Sequence, residues 1–134
     1  MSGFLIDTNV VLDILTRDDE WLDWSTFALE HAAGSGPLAI NPIIYAEVSG
    51  AFDRIEELDA AMPPSYFERR QLPLAAAFLA GKCFVHYRRR GGAKTSPLPD
   101  FYIGAHAMVE ELTLITRDPR LYRTYFPKLR LIAP

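Results

Sequence analysis

The chain has 134 residues, 49% of them hydrophobic and 23% charged, with a formal net charge of −3. That length suits one globular domain, residues 1–134, large enough to bury a core without disulfide staples. A single cysteine (Cys83), three separated histidines and the lack of a long apolar run exclude an intramolecular disulfide, speak against a zinc centre and leave nothing to span a bilayer.

The opening Met1-Ser2-Gly3-Phe4 has no basic, apolar leader, so a reducing, cytoplasmic setting is expected. Phe4-Leu5-Ile6 is a short apolar run ending at Asp7-Thr8-Asn9, which reads as a buried strand followed by a helix cap. Val11, Ile14 and Leu15 then recur at helical spacing. A second helix is predicted from Asp18 or Asp19, with Trp24, Phe27, Ala28 and His31 on one face, ending at Gly34-Ser35-Gly36-Pro37. Leu38-Ala39-Ile40 is a second strand. Asn41-Pro42 starts a helix, a capping side chain followed by proline at the first helical position, and it runs through Ile43, Ile44, Ala46, Val48 and Ala51. Acidic residues gather towards Asp59, and Pro63-Pro64 closes that region.

Leu74, Phe78, Gly81 and Val85 mark the next helix, which ends in Arg88-Arg89-Arg90-Gly91-Gly92. Pro97-Leu98-Pro99-Asp100 opens another, reaching about Leu112. Leu114-Ile115-Thr116 is a third strand, Arg117-Asp118-Pro119 a turn, and Leu129-Arg130-Leu131-Ile132 the last strand. Strands alternating with helices predict βαβ crossovers and an α/β fold, a parallel sheet between helical layers.

In such sheets ligands bind beyond the carboxyl ends of the strands. Asp7 and Asp118 follow the first and third strands, Asp100 starts a helix, and Glu47 lies about a turn into another. The aspartates also have structural readings, as a helix cap, a dipole partner and a turn residue. Glu47 differs. Its helical neighbours Ile43, Ile44, Gly50 and Ala51 predict an apolar face, where a carboxylate needs a cation, a donor or a raised pKa. No lysine or arginine lies between Asp18 and Asp53, which makes a metal the natural partner. Carboxylates without a His/Cys set suit Mg²⁺ or Mn²⁺, ions that activate water and stabilise charge on a leaving oxygen. Thr8, Asn9 and Thr116 flank the acids, either as cap and strand residues or as donors that support them. His31 and His106 read as packing residues.

Leu5-Ile6-Asp7-Thr8-Asn9, Tyr45-Ala46-Glu47, the segment from Pro99-Asp100-Phe101 to Ala107, and Thr116-Arg117-Asp118-Pro119 resemble, in order, the motifs of the PIN-domain nucleases. More narrowly the chain resembles VapC-type ribonuclease toxins, and Tyr122-Arg123-Thr124-Tyr125-Phe126-Pro127 is similar to their C-terminal signature. The resemblance implies an α/β/α sandwich with a mainly parallel sheet and an acidic pocket of Asp7, Glu47, Asp100 and Asp118. It implies one or two Mg²⁺ or Mn²⁺ ions, hydrolysis of RNA, a homodimer and a VapB-type antitoxin. Asp7 and Asp100 match the positions that most directly ligate metal, Glu47 the other core acid, and Asp118 a ligand or water-orienting carboxylate. Asn9 and Thr116 match supporting positions. Some relatives carry a further acid where this chain has Leu121, which bears on a second metal.

Residues 1–68 carry thirteen acids and two bases, whereas residues 69–134 carry twelve bases and four acids. Arg88, Arg89, Arg90 and Lys94, with Lys82, His86 and Tyr87 before them, read either as a solvated helix end or as contacts to an RNA backbone; Tyr87 is able to stack an unpaired base. Other functions remain in view: an RNA-processing PIN nuclease without a toxin role, a phospho-accepting receiver domain, and a binding module that has lost its acids. The receiver reading lacks its acidic pair, since Ile6 precedes Asp7, and its lysine after the late strand. The binding module requires lost acids, and none is lost.

Overall fold

The computed structural model describes residues 3–95 and 98–134. Phe4–Ile6 forms β1, Leu38–Ile40 β2, Phe67–Arg69 β3, Thr113–Ile115 β4 and Leu131–Ile132 β5. All four strand pairings are parallel, and the order across the sheet is β3-β2-β1-β4-β5. Every residue of β1 and β2 is buried, as it must be when helices cover both faces of a parallel sheet. The helices among the described residues are α1 (Thr8–Leu15), α2 (Leu22–Ala33), α3 (Pro42–Val48), α4 (Ile55–Ala61), α5 (Leu74–Arg89), α6 (Pro99–Val109) and α7 (Arg120–Tyr125). None is long and apolar enough to cross a membrane.

The α/β class, the parallel sheet and the first two strands agree with the sequence reading; the details differ for identifiable reasons. The third predicted strand is shifted by one residue, and the last is confined to Leu131–Ile132. Asp18 caps the backbone N–H groups of Glu20 and Trp21 in a turn, so α2 starts later and rotates. Its buried face is Ser25, Ala28, Leu29 and Ala32, while Phe27 and His31 stack on each other in solvent. Beyond α3 the chain tightens into a 3-10 turn over Ser49–Ala51. The predicted opening of α6 includes Pro97, outside the described residues. That helix stops at Val109 because Glu111 turns left-handed (φ 55°) and the Leu112 amide bonds back to Ala107.

The predicted stripe on α5 faces outward: Leu74 is 88% exposed and Phe78 68%. Ala76, Ala80 and Cys83 are buried instead, small side chains that let α5 lie close along α6. On the other side of α6, a Cβ on Gly104 would fall 2.5 Å from the buried Phe126 ring. Gly104→Ala should therefore destabilise the fold by about 1–2 kcal/mol, overpacking outweighing the better helix propensity. A urea midpoint that falls at unchanged m would show it.

Candidate functional site

The order of the sheet reverses between β1 and β4, which makes the space beyond their carboxyl ends the natural crevice. The register pairs Ile6 with Ile115, so Asp7 and Thr116 leave the sheet side by side. Asp7 is the N-cap of α1 and is 3% exposed. Its Oδ1 accepts from the Thr8 amide at 2.8 Å. Its Oδ2 accepts from the Thr116 hydroxyl at 2.8 Å, from the Tyr122 hydroxyl at 3.0 Å and, more weakly, from the Asn9 amide at 3.4 Å. Thr116 completes its own bonding by accepting from Asn9 and from the Asp118 amide.

Asp100 lies half-buried in the first turn of α6. Glu47, one residue from the end of α3, accepts from the Thr8 hydroxyl at 2.6 Å. The sequence places Glu47 on an unsolvated face, and this is corrected by the structure: the residue is exposed, because α3 buries Ile44 and Val48 and turns Glu47 outward towards the crevice. Asp118 is also exposed, with the Arg120 Nε 3.3 Å from its Oδ1.

The acids feel one another. Burial, and next the charge of Asp100, pushes the Asp7 pKa up from 3.8 to about 6, against the opposing pull of its hydrogen bonds. Asp100 is raised by burial, then by the charges of Glu47 and Asp118. Tyr122 is fully buried, and burial with the charges of Asp7 and Asp100 keeps its hydroxyl protonated as a donor. Among the described residues no cation pairs with Asp7, Glu47 or Asp100.

An all-oxygen, net-negative donor set fits a hard divalent ion. Among the described residues no three His, Cys, Asp or Glu side chains are gathered tightly enough to hold a metal by themselves.

The sequence reading missed two supports. Tyr122 appears there only within the C-terminal signature, and nothing local marks its contact with Asp7. Buried Asp13 accepts from Ser25 and from the Nε of Arg117, which lies over the Trp21 ring. This pair ties the residue before Asp118 to α1. His106, buried as expected, receives the Asn41 amide on Nδ1, which leaves Nε2–H to donate to Glu110 at 2.7 Å. Asn41 meanwhile caps α3, so this network joins the helices that carry Glu47 and Asp100. His31 contributes nothing to the site.

The candidate RNA contacts Arg88, Arg89, Arg90 and Lys94 are all exposed. Arg88 donates to the Lys94 carbonyl, and Arg90 lies over the Tyr125 ring.

The sequence matches the family described as PIN domain over residues 4–127. No curated protein matches it. Among solved structures it is similar to VapBC2 from Rickettsia felis bound to a promoter DNA fragment, with TM-score 0.74, 20% identity and 98% of each chain covered. It is also similar to DNA-bound VapBC from Salmonella typhimurium, with TM-score 0.68, 22% identity and coverage of 99% of this chain and 98% of that one. A toxin–antitoxin complex from Klebsiella pneumoniae gives TM-score 0.68 at 26% identity, covering 97% of this chain and 96% of that one.

The raised Asp7 pKa sets a sign for stability. Between pH 3.8 and about 6 the folded state binds more protons than the unfolded state, so stability falls as pH rises through that window. In EDTA the loss should reach at most about 3 kcal/mol. Asp100→Asn removes the repelling charge and should stabilise the metal-free protein near neutral pH by on the order of 1 kcal/mol, the Coulomb repulsion after screening. Denaturant melts of the parent, Asp7→Asn and Asp100→Asn across pH measure both effects; because Asp59 and Glu110 are shifted the other way, the first is read from parent minus Asp7→Asn, and a difference that rises from pH 4 to 6 would contradict it.

Proposed function

The chain belongs to the PIN-domain family, and on that footing we propose that it is a divalent-metal-dependent endoribonuclease of the VapC toxin type. One observation carries the reading: a buried carboxylate at the switch point of the sheet, held by neutral donors and raised by a second carboxylate. Asp7 and Asp100 would hold Mg²⁺ or Mn²⁺, with Glu47 and Asp118 as further oxygen donors. The bound ion would supply water activation and charge stabilisation at the leaving oxygen. Thr116 and Tyr122 fix the Asp7 carboxylate, Thr8 orients Glu47, and Asn9 joins Asp7 to the strand end at Thr116. Leu121, in place of a further acid, favours a single well-held ion.

The solved structures that the chain resembles are toxin–antitoxin complexes, which supports a cognate VapB-type antitoxin as partner of a single cytoplasmic PIN domain. A homodimer belongs to the same reading. Exposed Phe27, Leu74 and Phe78 offer apolar surface for such partners.

Incubation of RNA with the purified protein tests the chemistry. Cleavage should require Mg²⁺ or Mn²⁺ and leave 5′-phosphate and 3′-hydroxyl ends, and Asp7→Asn or Asp100→Asn should abolish both cleavage and toxicity. Activity that survives excess EDTA, or 2′,3′-cyclic ends, would refute the reading.

A second measurement concerns the basic helix end. Replacing Arg88, Arg89 and Arg90 together with alanine should weaken RNA binding and flatten its log–log salt dependence by roughly 2, three single-strand phosphate contacts at about 0.7 each. Mg²⁺ affinity should stay nearly constant. An unaltered salt slope would return these arginines to the role of helix-end decoration.

A further inference from the structure

Next to Asp100 and Asp118 the surface opens into a cavity of about 410 Å³. Its other walls are Tyr87 from the last turns of α5, and Arg120, Leu121, Thr124 and Tyr125 from α7. It is a shallow, open depression rather than an enclosed pocket. Its chemistry is unlike that of the acidic crevice: two tyrosine rings and a leucine on one side, carboxylates on the other.

The two rings are held in place. Buried Phe101 meets Tyr87 edge-on at 5.8 Å and Tyr125 edge-on at 5.0 Å. Tyr87 is fixed further by its own loop. A Cβ at position 92 would fall 2.2 Å from the ring, so only glycine allows the chain to pass there, and the Lys94 amide points at the Tyr87 hydroxyl from 3.4 Å. Cations lie beside the rings. The exposed Arg120 side chain, itself part of the lining, reaches Asp118, and the Arg90 guanidinium lies over one face of the Tyr125 ring, 5.6 Å from its centroid.

Tyrosine rings with cations beside them, one guanidinium already lying over Tyr125, suit an aromatic ligand attached to a polyanion. We propose that this cavity receives one unpaired nucleobase of a single-stranded RNA, from a nucleotide adjoining the phosphate that a cation bound at the acids would hold. The inference rests on the nuclease reading above and adds a base-binding subsite to it. A base in this pocket cannot remain stacked in a duplex, so the subsite selects single-stranded or looped RNA. Stacking on tyrosine tolerates every base, so preference among bases would fall to the smaller polar contacts at Thr124.

Fluorescence anisotropy in EDTA, where metal-dependent cleavage is silent, tests the subsite. The probes are oligouridylate, oligoadenylate and an all-abasic ribose-phosphate strand of equal length and charge. The parent should bind the base-bearing strands at least about fivefold more tightly than the abasic strand, the small end of what one base–aromatic stack supplies. Tyr125→Leu should remove most of that ratio, whereas Tyr125→Phe, which keeps the ring, should retain it. A parent ratio near one, or a ratio that survives in a folded Tyr125→Leu, overturns the subsite while leaving the nuclease reading standing. If Tyr125→Leu does not fold, the parent ratio alone decides. Failure of the parent to bind any strand at low salt overturns the RNA reading and the subsite together.

Discussion

Asp7 is an anion placed where water scarcely reaches it, with no positive charge paired to it among the described residues. Burying a carboxylate costs several kcal/mol even after relaxation, so the surrounding structure is arranged around that cost. The donors come from the first turn of α1, the end of β4 and the middle of α7. The Thr8 amide is local, but the Thr116 hydroxyl arrives only if β4 lies against β1, and the Tyr122 hydroxyl only if α7 packs beside them. Charge-assisted hydrogen bonds are the strong ones, yet they leave the carboxylate with a pKa of about 6. The residual imbalance is what a cation in the crevice would remove, and binding of that cation would stabilise the native state in proportion.

The remaining acids are held with less burial. Glu47 and Asp118 face solvent, and each relies on one side-chain contact, with Thr8 and Arg120 respectively. The backbone beneath them is better fixed. Asp13 and Arg117 tie the segment before Asp118 to α1, and His106 couples the cap of α3 to Glu110 at the C-terminal end of α6. Under the proposed function, rigid helices with exposed acids near their ends would let a hydrated ion and a bulky polyanion enter without rearranging the core.

Much of this could be read from the sequence. β1 and β2 are continuous apolar runs next to unmistakable caps, and Asp7 and Asn41 cap as expected. β3 escaped because, as an edge strand, it buries only Phe67 and shows Glu68 and Arg69 to solvent. α4 and α7 escaped for a similar reason: each is short and buries a single side chain, Leu58 in one and Tyr122 in the other. The α5 stripe misled because apolar periodicity records which residues share a face, not which face is covered. Here alanines and a cysteine make the close contact, and the larger residues are left outside. Among the candidate site residues the four acids were visible through their motifs and their places at element ends. The exposure of Glu47 was not, since helix neighbours say nothing about a crevice opening in front of them. Tyr122 was hidden most deeply, because its partner lies 115 positions earlier in the chain.

That separation bears on how the protein is made. The first strand leaves the ribosome carrying Asp7, but Thr116 and Tyr122, which complete the carboxylate's hydrogen bonds, follow 109 and 115 residues later. Contacts so distant in sequence close late, after the loop entropy between them has been overcome. A nascent or prematurely terminated chain therefore holds the early acids without the geometry that organises them. The acidic centre is complete only once α7 has been synthesised, and a stop codon upstream of α7 would yield a chain without the Tyr122 donor.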